Sequence, residues 1–501
     1  MADGIETGTS KADLNSVRRP AATYPAATGD LTLTGSPKTP RRRANSENNK
    51  LQPRDRPAHE WYRFVLSFPP HLVRDYLRRF GIKVGQCVLD PFCGTGTTLV
   101  ECKKAGISSV GIEANQMAWF ASQVKVDWSP DPDALVEHAL RVADEALAEL
   151  KAQGIRDDVC LHLRIDDGDT NHLRTLAPEE ARLLLTNSIS PLPLHKTLVL
   201  LDSLRRRRDQ RFDAHERLAL AKALVQSISN LEFGPEVGVS PAKADAAVLV
   251  PWLQAIRAMA DDLRALGRMD DCPSFVYHAD AREMLRFIRP KSIDAVITSP
   301  PYPNEKDYTR TTRLESVLLG FIRDKRDLRA LKRGLVRSNT RGVYKNDDDD
   351  QWIANHPVIQ QIAEAIEARR IELGKTSGFE RLYGKVTKLY FGGMARHLEN
   401  LRTVLRPGAH LAYVVGDQAS YLRVMIRTGQ LLADIAQSLG YELIGIDLFR
   451  TRLATATKEQ LREEVVVLRW PGTTGAGQVG SRSSPKLRQV CSGSTKCLQP
   501  E

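Results

Sequence analysis

The sequence predicts an α/β fold, a Rossmann-like open sheet carrying mostly helical insertions. Two stretches predict it. In Val88-Leu89-Asp90-Pro91-Phe92-Cys93-Gly94-Thr95-Gly96-Thr97-Thr98 a short apolar strand runs into Gly-x-Gly and out into a helix. In the second, the apolar run Ile293-Asp294-Ala295-Val296-Ile297 ends in Thr298-Ser299-Pro300-Pro301-Tyr302. Two consecutive prolines lack N–H donors and fix φ, so the chain must leave the sheet there in a stiff turn.

Residues 1–57 are rich in Ser, Thr, Pro, Ala and Arg and lack an apolar period, which predicts a disordered basic tail. The core begins near His59, with Phe68-Pro69-Pro70 leading into a helix over 71–80. The cofactor half of the core is expected over 58–129. Gly94 and Gly96 let backbone approach a ligand closely, outside the carboxyl end of a strand where open α/β sheets bind ligands. Thr97 or Thr98 is expected to cap the helix that follows. A second strand over 109–112 ends at Glu113, one strand–helix–strand unit after Asp90, where an acid suits ribose hydroxyls. A helix over 115–126 follows.

Residues 130–272 read as a helical insertion, with apolar residues at 136, 139, 140, 143, 147 and 150 marking its first helix. Helices are also expected over 197–204, 214–231 and 246–266, with Pro251 kinking or starting the last. Residues 233–239 read as a loop. The sheet resumes over 273–302, where Asp280 closes a strand and precedes a helix over 281–288. Residues 303–395 form a second, basic helical insertion. Core strands return over 396–471, ending in a hairpin, and 472–501 read as a second disordered tail.

The net charge is +11, but the two tails carry +4 and +3 of it, leaving +4 for everything between. The pI is therefore weak evidence for a specific anionic partner. The first insertion holds 18 basic and 24 acidic residues, and its run Arg205 to Arg208 reads as a solvated helix end. Residues 303–345 hold 12 basic and 5 acidic residues. They follow the Pro-Pro turn directly, which marks them as the main nucleic-acid contact, with Lys306, Arg310 and Arg313 as its first cations. Asp347 to Asp350 read as a solvated acidic loop. Seven cysteines without CxxC or Cys/His metal spacing imply no metal site and a reducing compartment. No apolar run approaches a membrane span, so the expectation is a cytoplasmic protein without membrane contact.

Together DPFCGTGTTLVE and TSPPY resemble the S-adenosylmethionine-dependent amino-methyltransferases of DNA, which methylate N4 of cytosine or N6 of adenine. The Ser-Pro-Pro-Tyr form looks most like the cytosine-N4 branch. The resemblance implies a seven-stranded methyltransferase sheet and S-adenosyl-L-methionine as cofactor. It implies a cofactor set of Asp90, Phe92, Gly94, Gly96, Glu113, Asp280 and Ala281, and a catalytic turn of Ser299, Pro300, Pro301 and Tyr302. Double-stranded DNA would be the partner, with a cognate restriction endonuclease as a further one.

The chemistry suits these side chains. Tyr302 offers an aromatic face to a flipped base, and Ser299 with the Pro300 carbonyl can accept the hydrogens of its exocyclic amine. No Pro-Cys pair is present, which argues against C5-cytosine chemistry. Three readings compete with cytosine N4: adenine N6, an RNA base amine, and a noncatalytic DNA-binding subunit of a restriction complex.

Overall fold

The strand tips carrying the two motifs lie side by side. The computed structural model describes residues 51–62, 67–157, 172–233, 237–269, 271–304, 306–453 and 460–472. Most of both expected tails lies outside these residues, as does the centre of the 233–239 stretch. Its sheet strands are β1 (Cys87–Asp90), β2 (Ser108–Glu113), β3 (Ser274–His278), β4 (Ile293–Thr298), β5 (Leu405–Gly416), β6 (Glu442–Leu453) and β7 (Gln460–Arg469). They form one seven-stranded sheet in the order β3-β2-β1-β4-β5-β7-β6. The first five strands pair in parallel and β7 runs antiparallel to both β5 and β6. This is the Rossmann-like methyltransferase sheet expected from the sequence.

The central strands are buried on both faces, so they read as continuous apolar runs. Val88, Ala295, Ile297, Ala412 and Val414 point to one side, against α1 (Pro70–Arg79) and α2 (Thr97–Lys104). Leu89, Val296, Leu411 and Tyr413 point to the other. There they meet α10 (Tyr383–Val404) and α11 (Thr428–Ser438). The strand period of two thus builds two cores from one run.

After α3 (Gln116–Lys125), capped by the Asn115 side chain accepting from Met117 and Ala118 N–H, the first insertion packs into one apolar cluster with α2, α3, Trp61 and Leu314. Its long helices are α4 (Pro132–Ala152), α5 (Pro191–Arg206), α6 (Asp213–Ala223) and α7 (Leu249–Leu266). Pro251 sits in the first turn of α7, which it starts rather than kinks. The second insertion contributes α8 (Lys325–Gly334) and α9 (Pro357–Glu372) before α10.

Several expectations fail for identifiable reasons. Residues 51–57 do not belong with the tail: Asp55 is buried and pairs with Arg74 of α1. The expected loop 233–239 is part of a two-stranded ribbon, Leu231–Phe233 against Val237–Val239, which also ends the helix expected to reach 231. The boundary at 395 falls inside α10, whose 22 residues run from the insertion into the core. Only a 3-10 turn, Ala281–Arg286, follows Asp280.

The four arginines 205–208 are exposed at the helix end, as expected, but they are not unpartnered. Arg205 pairs with Asp202, Arg206 with Glu145 and Glu149, Arg207 with Glu145 and Arg208 with Asp213. Nor is the acidic run a solvated loop. Asp347 grips Arg337 through both carboxylate oxygens at 2.8 Å, and Asp349 binds Arg282 and Arg396. Gly392 makes the second of these contacts sterically feasible, because a Cβ there would lie 1.9 Å from the Asp349 carbonyl oxygen. No helix among the described residues is long and apolar enough to cross a membrane.

Candidate active site

A cavity of about 590 Å³ opens where the carboxyl ends of β1, β2, β4 and β5 converge. That volume is in the range of small-molecule sites. All four residues of the turn Ser299-Pro300-Pro301-Tyr302 line it. So do Phe92, Gly94, Glu113, Asp280 and Ala281 from the expected cofactor set.

Asp90 and Gly96 do not line the cavity; they stand behind it. Asp90 is fully buried, and its Oδ1 accepts from Thr298 Oγ1 at 2.6 Å and from Phe92 N–H at 3.1 Å. It therefore ties the tip of β1 to the tip of β4 and holds the two motifs in register. Burial raises its carboxyl to about 6, against the pull of those hydrogen bonds. Gly96 adopts φ +86° and packs against Ser122, whose Oγ would lie 2.7 Å from a Cβ. It starts α2 in a left-handed conformation that a side chain would strain. Neither threonine caps that helix. Thr98 instead donates its hydroxyl to the Ile297 carbonyl at 3.0 Å, a second tie between the motifs.

The cavity wall on the β2 side is polar. Glu113 accepts from Gly94 N–H at 2.9 Å and from Asn115 N–H at 2.7 Å, so it folds the glycine turn around itself. Burial pushes its carboxyl up to about 7. Asp280 caps the following turn by accepting from Arg282 N–H, and the Arg282 guanidinium grips both of its oxygens. The same guanidinium reaches Asp349, so the second insertion braces the strand tip. Phe92 packs edge-on to His397, whose imidazole burial holds well below its ordinary range, at about 4. That neutral ring spans from the Ala281 carbonyl to the Tyr413 hydroxyl.

At the catalytic turn, the Ser299 hydroxyl donates to the Val414 carbonyl at 3.1 Å. Its one proton is spent there, so its oxygen can act only as an acceptor, and the same side chain hydrogen-bonds with the Tyr302 hydroxyl. The Tyr302 ring lies against Gly416, where a Cβ would come within 2.9 Å of Cε2. Burial holds the Tyr302 phenol above its ordinary range, so it stays protonated. Gly416→Ala should push the ring aside and lower turnover roughly tenfold, because sub-ångström misplacement of a reacting group is costly. Cofactor affinity, measured by calorimetry, should change little.

The three cations expected to meet nucleic acid separate. Lys306 lines the cavity and Arg310 does not. Arg313 is spent on the protein: its guanidinium donates to the Thr309 carbonyl and hydroxyl and to the Leu183 carbonyl. It anchors the insertion and is not available for phosphate.

Sequence reasoning missed one whole wall, residues 334–339, together with Arg450 and Arg452 of the β6–β7 hairpin. No motif marks that wall. It is held in place by Arg337 on Asp347 and by the Tyr421 hydroxyl donating to the Ser338 carbonyl at 2.8 Å. Among the described residues no group of three or more His, Cys, Asp or Glu is placed to hold a metal.

The residues present fit S-adenosylmethionine. Gly94, at φ +51°, faces open space where a side chain would project, and two carboxylates stand at successive strand tips to accept from hydroxyl and amine groups.

The N6/N4 methyltransferase family model, described as DNA methylase, matches residues 35–120, which include the glycine turn and Glu113. Type II methyltransferase M.BsoBI of Geobacillus stearothermophilus is 25% identical over 446 residues, 82% of this chain and 84% of that protein. Type II methyltransferase M.AvaI of Anabaena variabilis is 25% identical over 439 residues, 83% and 87%. TrmN from Thermus thermophilus superposes with a TM-score of 0.27 at 12% identity, over 83% of this chain and 52% of that one, too low to add to the topology above. In its motifs, its sheet and these relatives, the chain is similar to the N6/N4 amino-methyltransferases.

Proposed function

We propose that the chain is a site-specific DNA methyltransferase that places a methyl group on the exocyclic N4 amine of cytosine, as the modification half of a restriction–modification pair. The observation that carries this reading is the shared cavity. The Ser-Pro-Pro-Tyr turn and the glycine turn line one volume and are tied behind it by Asp90 and Thr98. The relatives named above as Type II methyltransferases support DNA as the substrate, and Ser rather than Asp before the prolines favours cytosine.

S-adenosylmethionine, when bound, supplies an electrophilic sulfonium methyl. Glu113 would take the ribose hydroxyls, and Asp280 with Ala281 the adenine. The chain's own work is on the base. Unstacking it costs a few kcal/mol, and Tyr302 offers a replacement stacking surface. An exocyclic amine is a weak nucleophile because its lone pair is delocalised into the ring. Ser299 Oγ and the Pro300 carbonyl accept its two hydrogens, which fixes its orientation and draws electron density onto nitrogen.

The test is mass spectrometry of nucleosides from DNA and RNA of cells expressing the chain or its Ser299→Ala variant. N4-methylcytosine in DNA, lost in the variant, is the expected result. N6-methyladenine would keep the site chemistry and overturn the base. A mark in RNA alone would overturn the substrate, and no mark in either would leave a noncatalytic binding subunit.

A further inference from the structure

The two insertions treat their arginines differently. In the first, Arg205 to Arg208 and Arg211 are all paired with carboxylates of the same insertion. In the second, α8 carries Lys325, Arg326, Arg329, Lys332 and Arg333 against a single acid, Asp327. Leu328 and Leu331 pack on the small cluster Leu183, Val317 and Ile322, which fixes how the helix lies. Lys325, Arg329 and Arg333 are exposed and have no carboxylate partner among the described residues.

This basic helix leads to the cavity mouth. Lys332 lines the cavity, pairs with Asp307 and donates to the Arg341 carbonyl. Arg341 is exposed and lies between Asn339 and Gly342, both cavity-lining. Its guanidinium sits 5.9 Å from the ring of Phe379. Phe379 is 54% exposed, at the end of an exposed loop between α9 and α10 that also carries Lys375. That loop has a firm base. Gly384 lets α10 approach the Ala363 carbonyl of α9, and Tyr383 stacks on Tyr421, which holds the cavity wall through Ser338. A large aromatic held in the open by a cation whose chain neighbours line the cavity is poorly suited to water and well suited to a base stack.

We propose that the strip from α8 through Arg341 to Phe379 is the duplex-binding face of the chain, and that Phe379 enters the stack where the target base leaves it. The proposal rests on the DNA-methyltransferase reading above. The basic helix would neutralise backbone phosphates, while the ring would fill the vacated step, as apolar wedges do in other distorted duplexes. The charge of the strip selects nucleic acid over an apolar protein partner.

The test uses the full chain and two synthetic duplexes. One carries the site that becomes methylated in expressing cells, and the other has the same target base mispaired. Phe379→Ala should lower turnover on the paired duplex roughly tenfold or more, since the wedge offsets unstacking. On the mispaired duplex, where the base is already loose, the loss should be under about threefold. Phe379→Leu should restore part of the paired-duplex rate. Equal losses on both duplexes would overturn the wedge, as would no loss on either. A changed sedimentation coefficient with unchanged turnover would assign the ring to a protein contact instead. Arg329→Ala with Arg333→Ala should make the dependence of log Kd on log salt shallower by about two. An unchanged slope would overturn the basic face. Cofactor affinity should hold in every variant. If the wild-type chain transfers no methyl group to any DNA, the underlying reading fails rather than this one.

Discussion

Tyr302→Ala is expected to lower kcat/KM for DNA by about 100-fold while leaving the cofactor Kd within about twofold, because stacking on an aromatic is worth about 1–3 kcal/mol per base and the ring also positions what it stacks on. The side chain lines the cavity at the end of β4, backed by Gly416. Removing it takes away the stacking face and opens a gap against that glycine. Tyr302→Phe keeps the ring and should retain activity to within about fivefold, since the contribution claimed is the π-face and not the hydroxyl. Steady-state kinetics with DNA varied, beside calorimetry with cofactor alone, separates the two. Equal losses of cofactor affinity and turnover would make Tyr302 a cofactor wall and not a base platform.

Glu113→Gln should weaken cofactor binding by about tenfold or more at pH 8, because a charge-assisted hydrogen bond is worth about 1.5–3 kcal/mol. The pH dependence is the sharper reading. Burial pushes this carboxyl up from 4.5 to about 7, so the free protein holds a proton that the unfolded chain would have released. Stability of the free protein therefore falls as pH rises from the ordinary carboxylate range to about 7, and is flat above it. Ribose hydroxyls donate, so they need the ionised form. Cofactor affinity should thus rise with pH up to about 7 and level off, with protons released on binding. In the variant that profile should be flat. Gln keeps one carbonyl oxygen, enough for one of the two backbone donors Gly94 and Asn115. An unchanged profile in the variant would remove Glu113 from the cofactor site.

Much of this site could be read from the sequence, because its two motifs are local. A glycine turn between strand and helix and a double proline after a buried strand leave the backbone few alternatives. The parallel strands were legible for the same reason, since burial on both faces writes itself as an unbroken apolar run. What could not be read depends on distant partners. Four adjacent aspartates suggest solvent, yet Asp349 meets Arg282 and Asp347 meets Arg337. Thr98 sits where a cap belongs, but its hydroxyl is claimed by Ile297 from another strand. Arg313 looks like a free cation beside the turn until Leu183 of the first insertion takes one of its donors. Asp90 was expected to touch a ligand, and instead it holds together the two loops that would. Each of these depends on residues far apart in the chain meeting across the sheet or between insertions.

The most direct test is methyl transfer by the purified chain from methyl-labelled S-adenosylmethionine to duplex DNA, beside Tyr302→Ala. Label on the N4 amine of cytosine, with the variant still binding cofactor but transferring about 100-fold more slowly, is the expected result. Label that stays on the cofactor in the wild-type reaction, or that reaches RNA but not DNA, would contradict the assignment.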